Sequence, residues 1–240
     1  MSIPPDRLEA IRRTRRHPRL TQFDYLHVRR LVSDIRAALG QLDGAVAEVL
    51  DVYCGTRPYD DLLPAGARST GLDVEGNPYG VADVVSNDFL PFDDASFDLV
   101  TCYEAFHYVE DPRRGIDEIR RVLRPGGRVL ISVPFVWEYD RTILEHRYTG
   151  PELAAFFEGW EDVRVVENGG RAVAWATLTG SIIESARNRL PRVVGAVFAL
   201  IYFALNGVGG GLAALEERNR GRTTTLPMNL LVSARRPIRD

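Results

Sequence analysis

The chain has 240 residues, 45% of them hydrophobic and 26% charged, the proportions of a globular protein with a sizeable core of its own. A formal charge of −3 and a pI near 5.9 exclude the global basic field that attracts nucleic acid, so no nucleic-acid partner is expected. All 30 basic side chains are Arg, which reads as compositional bias rather than site chemistry. The two cysteines, Cys54 and Cys102, have no metal-ligand spacing, so neither a disulfide framework nor a metal site is expected and a cytoplasmic location is. The N-terminal residues contain no apolar segment of the secretory-signal kind.

Residues 1–22 carry six arginines and His17 against Asp6 and Glu9, interrupted by Pro4, Pro5 and Pro18. They read as a basic, solvated arm without regular structure, with contact to an anionic lipid or a phosphorylated substrate as the sharper alternative. From 23 onward the sequence reads as one domain. Phe23, Leu26, Leu31, Ile35 and Leu39 recur near helical spacing before Gly40, which predicts a helix over 23–39. Short apolar runs then predict buried strands at 46–52, 70–74, 81–85, 97–102 and 128–133. A helix over 112–123 is opened by Asp111 and Pro112 and stopped by the Arg124-Pro-Gly-Gly127 turn. A short helix at 151–157 and a sixth strand at 163–167 follow, and a strand within 223–234 closes the chain.

Alternation of strand and helix predicts an α/β fold with a doubly wound parallel sheet. Residues 172–222 break the alternation as a helical insertion before the last strand. Within it, 193–215 contains no charge over 23 residues, long enough to cross a bilayer. Five glycines and Asn206 in that stretch predict a hairpin bent at 206–211 instead. Such a hairpin can cap the site, form a homodimer interface, or touch a membrane surface, which would make the protein peripheral to the inner membrane.

The chemistry concentrates at the first strand. Asp51-Val-Tyr-Cys-Gly55 ends it, a helix start is expected at Thr56-Arg-Pro58, and Asp73 ends the second strand 22 residues after Asp51. A carboxylate at about that separation can accept both ribose hydroxyls of an adenosine. A nicotinamide dinucleotide would require more glycine than the single Gly55 here, so an oxidoreductase acting on a nucleotide sugar is disfavoured.

Three segments in order, Glu48–Thr56 (EVLDVYCGT), Leu90–Val100 (LPFDDASFDLV) and Arg121–Ser132 (RVLRPGGRVLIS), resemble the successive motifs of class I SAM-dependent methyltransferases, of the type 11-like kind. The resemblance covers about residues 46–134. It implies a Rossmann-like seven-stranded sheet whose last strand is antiparallel and lies beside the fifth, and S-adenosylmethionine as cofactor. It further implies that Asp51 and Gly55 line the methionine and ribose part, Asp73 the ribose, and Asn87 or Asp88 the adenine amino group. Phe89 would lie against the adenine ring, and Cys102 to Glu104 would face the methionyl end.

Two positions depart from the family pattern, Tyr53 and Arg57, both where glycine is usual. Either Tyr53 lays its ring near the sulfonium and Arg57 neutralises the methionine carboxylate, or Tyr53 blocks the pocket and the domain is a binding or scaffolding module without catalysis. His107, Tyr108 and His146 are the candidates for a general base toward an oxygen acceptor, with helix capping or packing as the plain alternative for His107. Phe135–Arg141, continuing to Glu145–Thr149, is the candidate acceptor-recognition loop. The expected reaction is methyl transfer to a small molecule, an O-methylation of a sugar, glycolipid precursor or secondary metabolite.

Overall fold

In a computed structural model, residues 3–87, 90–191, 195–218 and 225–238 are described. Seven strands form one sheet in the order β3-β2-β1-β4-β5-β7-β6. They are β1 Glu48–Val52, β2 Arg68–Asp73, β3 Val84–Val85, β4 Phe97–Tyr103, β5 Leu123–Pro134, β6 Glu161–Asn168 and β7 Asn229–Arg235. The first five pair in parallel. β7 lies antiparallel between β5 and β6, in the position the sequence motifs imply. β1 is almost wholly buried, and its entry is fixed by the Asp98 carboxylate, which accepts from the backbone N–H groups of Ala47 (3.0 Å) and Glu48 (2.9 Å).

Helices cover both faces. On one, Val28, Leu31, Val32, Ile35 and Leu39 of α2 (Tyr25–Leu39) pack on Val49, Leu99 and Leu130. On the other, Ile116, Ile119 and Val122 of α3 (Pro112–Val122) join the cluster of Leu50, Val52, Val100, Val129 and Ile131. α3 starts as predicted, with Asp111 accepting from Arg114 N–H at 3.1 Å and Pro112 in the first turn, where its missing N–H has no intrahelical partner to lose. A capping box of Thr149 and Glu152 opens α4 (Gly150–Ala155).

The structure corrects three expectations. The helix expected at Thr56-Arg-Pro58 is a single 3-10 turn, Asp60–Leu62. Arg57 sits at φ 53°, in the left-handed region that a helix cannot continue through, and Pro58 withholds an N–H. Second, the basic arm is ordered as helix α1, Pro5–Arg16, with proline in its first turn. It buries no residue fully, and polar contacts hold it: Arg12 Nε donates to Thr56 O at 2.6 Å, and Arg16 pairs with Glu9 and Asp61.

Third, the insertion is not bent at 206–211. α5 (Arg171–Arg187) and α6 (Gly195–Arg218) are separate helices, and α6 runs unbroken through Gly207–Gly211. The glycines there permit close packing in place of a bend. A Cβ on Gly209 would lie 2.6 Å from the Ala176 Cβ and 2.9 Å from Leu26 Cδ1, so only glycine lets α6 approach α5 and α2 so closely.

Gly209→Leu should therefore destabilise the fold by about 1–3 kcal/mol through overpacking. Gly211, where a Cβ would meet nothing within 4 Å, is the opposite case. Gly211→Ala should stabilise the fold by about 0.5–1 kcal/mol through helix propensity. Urea unfolding midpoints of the two variants test this pair of opposite signs.

Candidate active site

The parallel strand order reverses between β1 and β4, and there the carboxyl ends of β1, β4 and β5 open a cleft of about 390 Å3. That size lies within the range that takes a drug-sized ligand. Its floor is the β1 loop, Tyr53–Thr56, with Tyr103–Ala105 after β4 and Pro134 at the end of β5. Its roof is contributed by α1 through Ile11 and Arg15 and by α2 through His27 and Leu31. Aromatic side chains dominate the wall: Tyr53, Tyr59, Tyr79, Tyr103, Tyr108 and Trp137 all line it.

The β1 loop is held without a following helix. Asp73 Oδ2 accepts from Gly55 N–H at 2.9 Å and from Asn77 Nδ2, and Oδ1 accepts from Val74 N–H at 2.8 Å. Arg57 acts as a strut: Nε donates to Asp60 (2.9 Å), Nη1 to Asp83 (2.5 Å) and Nη2 to the Ser69 carbonyl (2.8 Å). The expected use of Arg57 on a ligand carboxylate is therefore corrected. Its guanidinium is spent on tying the β1 loop to β2, because the loop lacks a helix to fix it. Tyr53, at φ 54°, lines the cleft while packing against the core of the sheet. Gly55, also at φ 54°, has open space where a Cβ would sit.

Other predicted residues divide by position. Tyr53, Gly55, His107 and Tyr108 come together around the cleft. Asp51 is buried beneath the β1 loop, accepting from Thr101 Oγ1 at 2.8 Å, and burial pushes its carboxyl up to about 7. Cys102 is fully buried in the core cluster on the α3 side, so its expected position at the methionyl end is corrected: the alternating strand pattern turns it away from the cleft. Asn87 is exposed and bound to Glu75, with its Oδ1 accepting from Glu75 N–H at 3.2 Å, and it does not line the cleft. Asp88 and Phe89 lie outside the described residues.

His107 is buried, with Nδ1 unpartnered among the described residues and its ring 3.9 Å from that of Tyr108. Burial, assisted by the Arg147 charge, lowers its pKa to about 4, so it is neutral at pH 7. His146 stands one layer back, stacked on Tyr148 at 5.7 Å and linked to His107 only through its backbone N–H on the His107 carbonyl at 2.9 Å. Tyr108 is largely exposed at the rim.

The sequence reading missed His27. It is a second buried, neutral imidazole on the cleft, stacked on Trp137 at 5.9 Å, with Nδ1 unpartnered among the described residues. Burial and then the Arg15 charge lower its pKa to about 4. A signal existed, since His27, Leu31 and Ile35 recur at i, i+4 and i+8, placing one polar residue in an apolar helical stripe. Glu104, at φ 55°, also lines the cleft; its carboxylate accepts from Asn229 Nδ2 at 3.0 Å, and burial raises its pKa.

The Methyltransferase domain family model matches residues 50–131, the stretch that runs from β1 to β5. Over 170 residues the chain is 27% identical to a ubiquinone biosynthesis O-methyltransferase of Paraburkholderia phymatum, covering 61% of this chain and 71% of that protein. It is 33% identical to the human thiol S-methyltransferase TMT1B over 129 residues, 46% of this chain and 49% of that one. Several matching relatives are spanned over less than half of their own length. Phosphoethanolamine N-methyltransferase 2 of Haemonchus contortus, solved with S-adenosyl-L-methionine, shares the fold at a TM-score of 0.53 and 16% identity, over 91% of this chain and 56% of that one.

Burial has opposite consequences for Asp51 and His27. The Asp51 value lies above the ordinary 3.8, so its contribution to stability is complete below pH 3.8 and lost as pH rises through about 7. The His27 value lies below the ordinary 6.5, so its contribution is complete above pH 6.5 and lost as pH falls through about 4. Urea unfolding across pH 4–8 should show Asp51→Asn flattening the decline toward high pH and His27→Gln flattening the decline toward low pH. The effect should be at most about 4 kcal/mol for Asp51 and about 3 kcal/mol for His27.

Proposed function

We propose that this chain transfers a methyl group from S-adenosylmethionine to an oxygen on a ring-bearing small molecule, in the class of sugars, glycolipid precursors or secondary metabolites. The observation that carries the reading is a cleft at the β1/β4 reversal whose wall combines six aromatic rings with two neutral imidazoles, His27 and His107. Flat aromatic walls suit a ring, and a neutral imidazole can accept the proton of a hydroxyl nucleophile. A ubiquinone biosynthesis O-methyltransferase among the relatives supports an oxygen acceptor.

The residues present fit the cofactor. Gly55 leaves open space on the β1 loop, and Asp73 presents a buried carboxylate at the end of β2. S-adenosylmethionine supplies an already activated methyl group, so the protein's work is to hold the acceptor in line and exclude water. Tyr53, Gly55 and Asp73 would bind it, with Asn77 yielding its place on Asp73 to ribose. Ile11 and Leu31 in the roof exclude water, and His107 or His27 would take the acceptor proton. The reading places the enzyme in the cytoplasm, peripheral to the inner membrane.

A second reading, a binding or scaffolding module without catalysis, draws on Tyr53 in the cleft and on the occupied oxygens of Asp73. Calorimetry separates the two, and also the disfavoured oxidoreductase. S-adenosylmethionine and its demethylated product should both bind and NAD should not. Asp73→Ala should weaken binding about tenfold or more. Absence of binding by either methyl-cycle ligand would end the methyltransferase reading.

Arg57→Gly should lower the melting temperature by several degrees through loss of the strut, with any change in ligand affinity secondary. Thermal unfolding followed by circular dichroism checks this. An unchanged melting temperature with lost affinity would restore Arg57 to direct ligand contact.

A further inference from the structure

A helix on the outside of a soluble domain ordinarily turns charged or polar residues to water. α6 does not. From Gly195 to Leu215 it carries no charged residue, a rise of about 30 Å. Its inner side, Tyr202, Leu205, Asn206, Gly209 and Ala213, is buried against the domain. Its outer side presents Val197, Leu200, Phe203, Val208, Leu212 and Leu215 to solvent, with Leu200 71% and Phe203 54% exposed. Such a contiguous apolar face marks a contact site.

Exposed arginines lie on the two N-terminal elements that pack next to α6 or are tied to it. Asn206 Nδ2 donates to the backbone carbonyls of Leu20 (2.8 Å) and Gln22 (2.7 Å), which ties the N-terminal arm to the middle of α6. In that arm, Arg7, Arg13 and Arg19 are exposed, and their side chains have no carboxylate partner among the described residues. On α2, Arg29 is exposed, lies over the Tyr25 ring and donates to the Tyr25 hydroxyl at 3.0 Å, with no carboxylate partner among the described residues. The carboxylates at the far end of α6 add no free negative charge, since Glu216 pairs with Arg171 and Glu217 with Arg30.

An apolar helix face beside unpaired arginines complements the acyl boundary and phosphate headgroups of an anionic bilayer. A two-fold dimer through α6 would instead gather two sets of the same unpaired arginines with no added carboxylate to balance them. Crossing the bilayer is excluded by the topology. β6 and β7, which flank the insertion, pair residue by residue in one sheet, and the inner side of α6 is packed on α5 and α2.

We infer that α6 lies flat in the surface of an anionic phospholipid membrane, its outer face in the acyl boundary and the arm arginines on the headgroups. This surface stands independently of methyl transfer, but it deepens that reading. α1 supplies Arg7 and Arg13 as well as the roof residues Ile11 and Arg15 of the cleft, which brings the cleft within reach of an acceptor held in or released from the membrane.

The test is sedimentation of the full chain with large unilamellar vesicles of phosphatidylglycerol and phosphatidylcholine, against pure phosphatidylcholine. Binding should require the anionic lipid and weaken with salt. Leu200→Gln with Phe203→Gln, and separately Arg7→Gln with Arg13→Gln and Arg19→Gln, should each lower vesicle affinity about tenfold or more. Circular dichroism should show both variants folded, and calorimetry should show their affinity for S-adenosylmethionine unchanged. A wild-type chain that ignores both vesicle types overturns the inference. So does a dimer in light scattering that the Leu200/Phe203 variant dissociates. Vesicle binding by a chain that fails to bind S-adenosylmethionine keeps the membrane surface and rejects the methyltransferase reading alone.

Discussion

The site depends on how the loop after β1 is held. In a parallel sheet of this order a helix ordinarily follows β1 and fixes the turn from behind. Here the connection between β1 and β2 forms only the 3-10 turn Asp60–Leu62, and two side chains substitute for the missing helix. Asp73 holds Gly55 from the end of β2, and Arg57 braces the loop against Asp60, Asp83 and the Ser69 carbonyl. Arg57 therefore stands at a glycine position of the family motif for a structural reason. The left-handed backbone at Tyr53, Gly55 and Arg57 is the geometry this bracing sustains.

Fixing the floor in this way leaves the roof to come from elsewhere, and the N-terminal half supplies it. α1 reaches over the β1 loop through Arg12 on the Thr56 carbonyl, while α2 turns His27 and Leu31 into the cleft. The two imidazoles owe their neutrality to this enclosure. Burial makes the charged form unfavourable, and the Arg15 and Arg147 charges add to the effect. A neutral imidazole is the protonation state that proton acceptance from a hydroxyl requires.

The insertion between β6 and β7 is joined to the same roof. Asn206 of α6 holds the segment that links α1 to α2, and Ser181 of α5 donates to Glu138 on the cleft wall at 3.0 Å. The tight approach at Gly209 locks α6 against α5 and α2, so the apolar outer face of α6 belongs to the same packed unit as the cleft.

The sequence by itself determined the strands and their class of sheet, because those follow from local alternation and from three ordered motifs. The cap of α3 and the antiparallel last strand were equally legible. The tertiary structure decided what local patterns cannot encode. Glycines at 207–211 read locally as a bend, yet the helix runs through them and Gly209 among them serves close packing against Ala176 and Leu26. Arginines in the first 22 residues read as a solvated arm, yet Thr56 and Asp61, some 45 residues away, order them as a helix. Cys102 reads as site-facing by its place after the fourth strand, but the face of the strand sends it into the core. Cys102 and the arginine arm were resolved by the sheet's side and by long-range partners, and His27 became a cleft residue only when α2 closed over strands far along the chain.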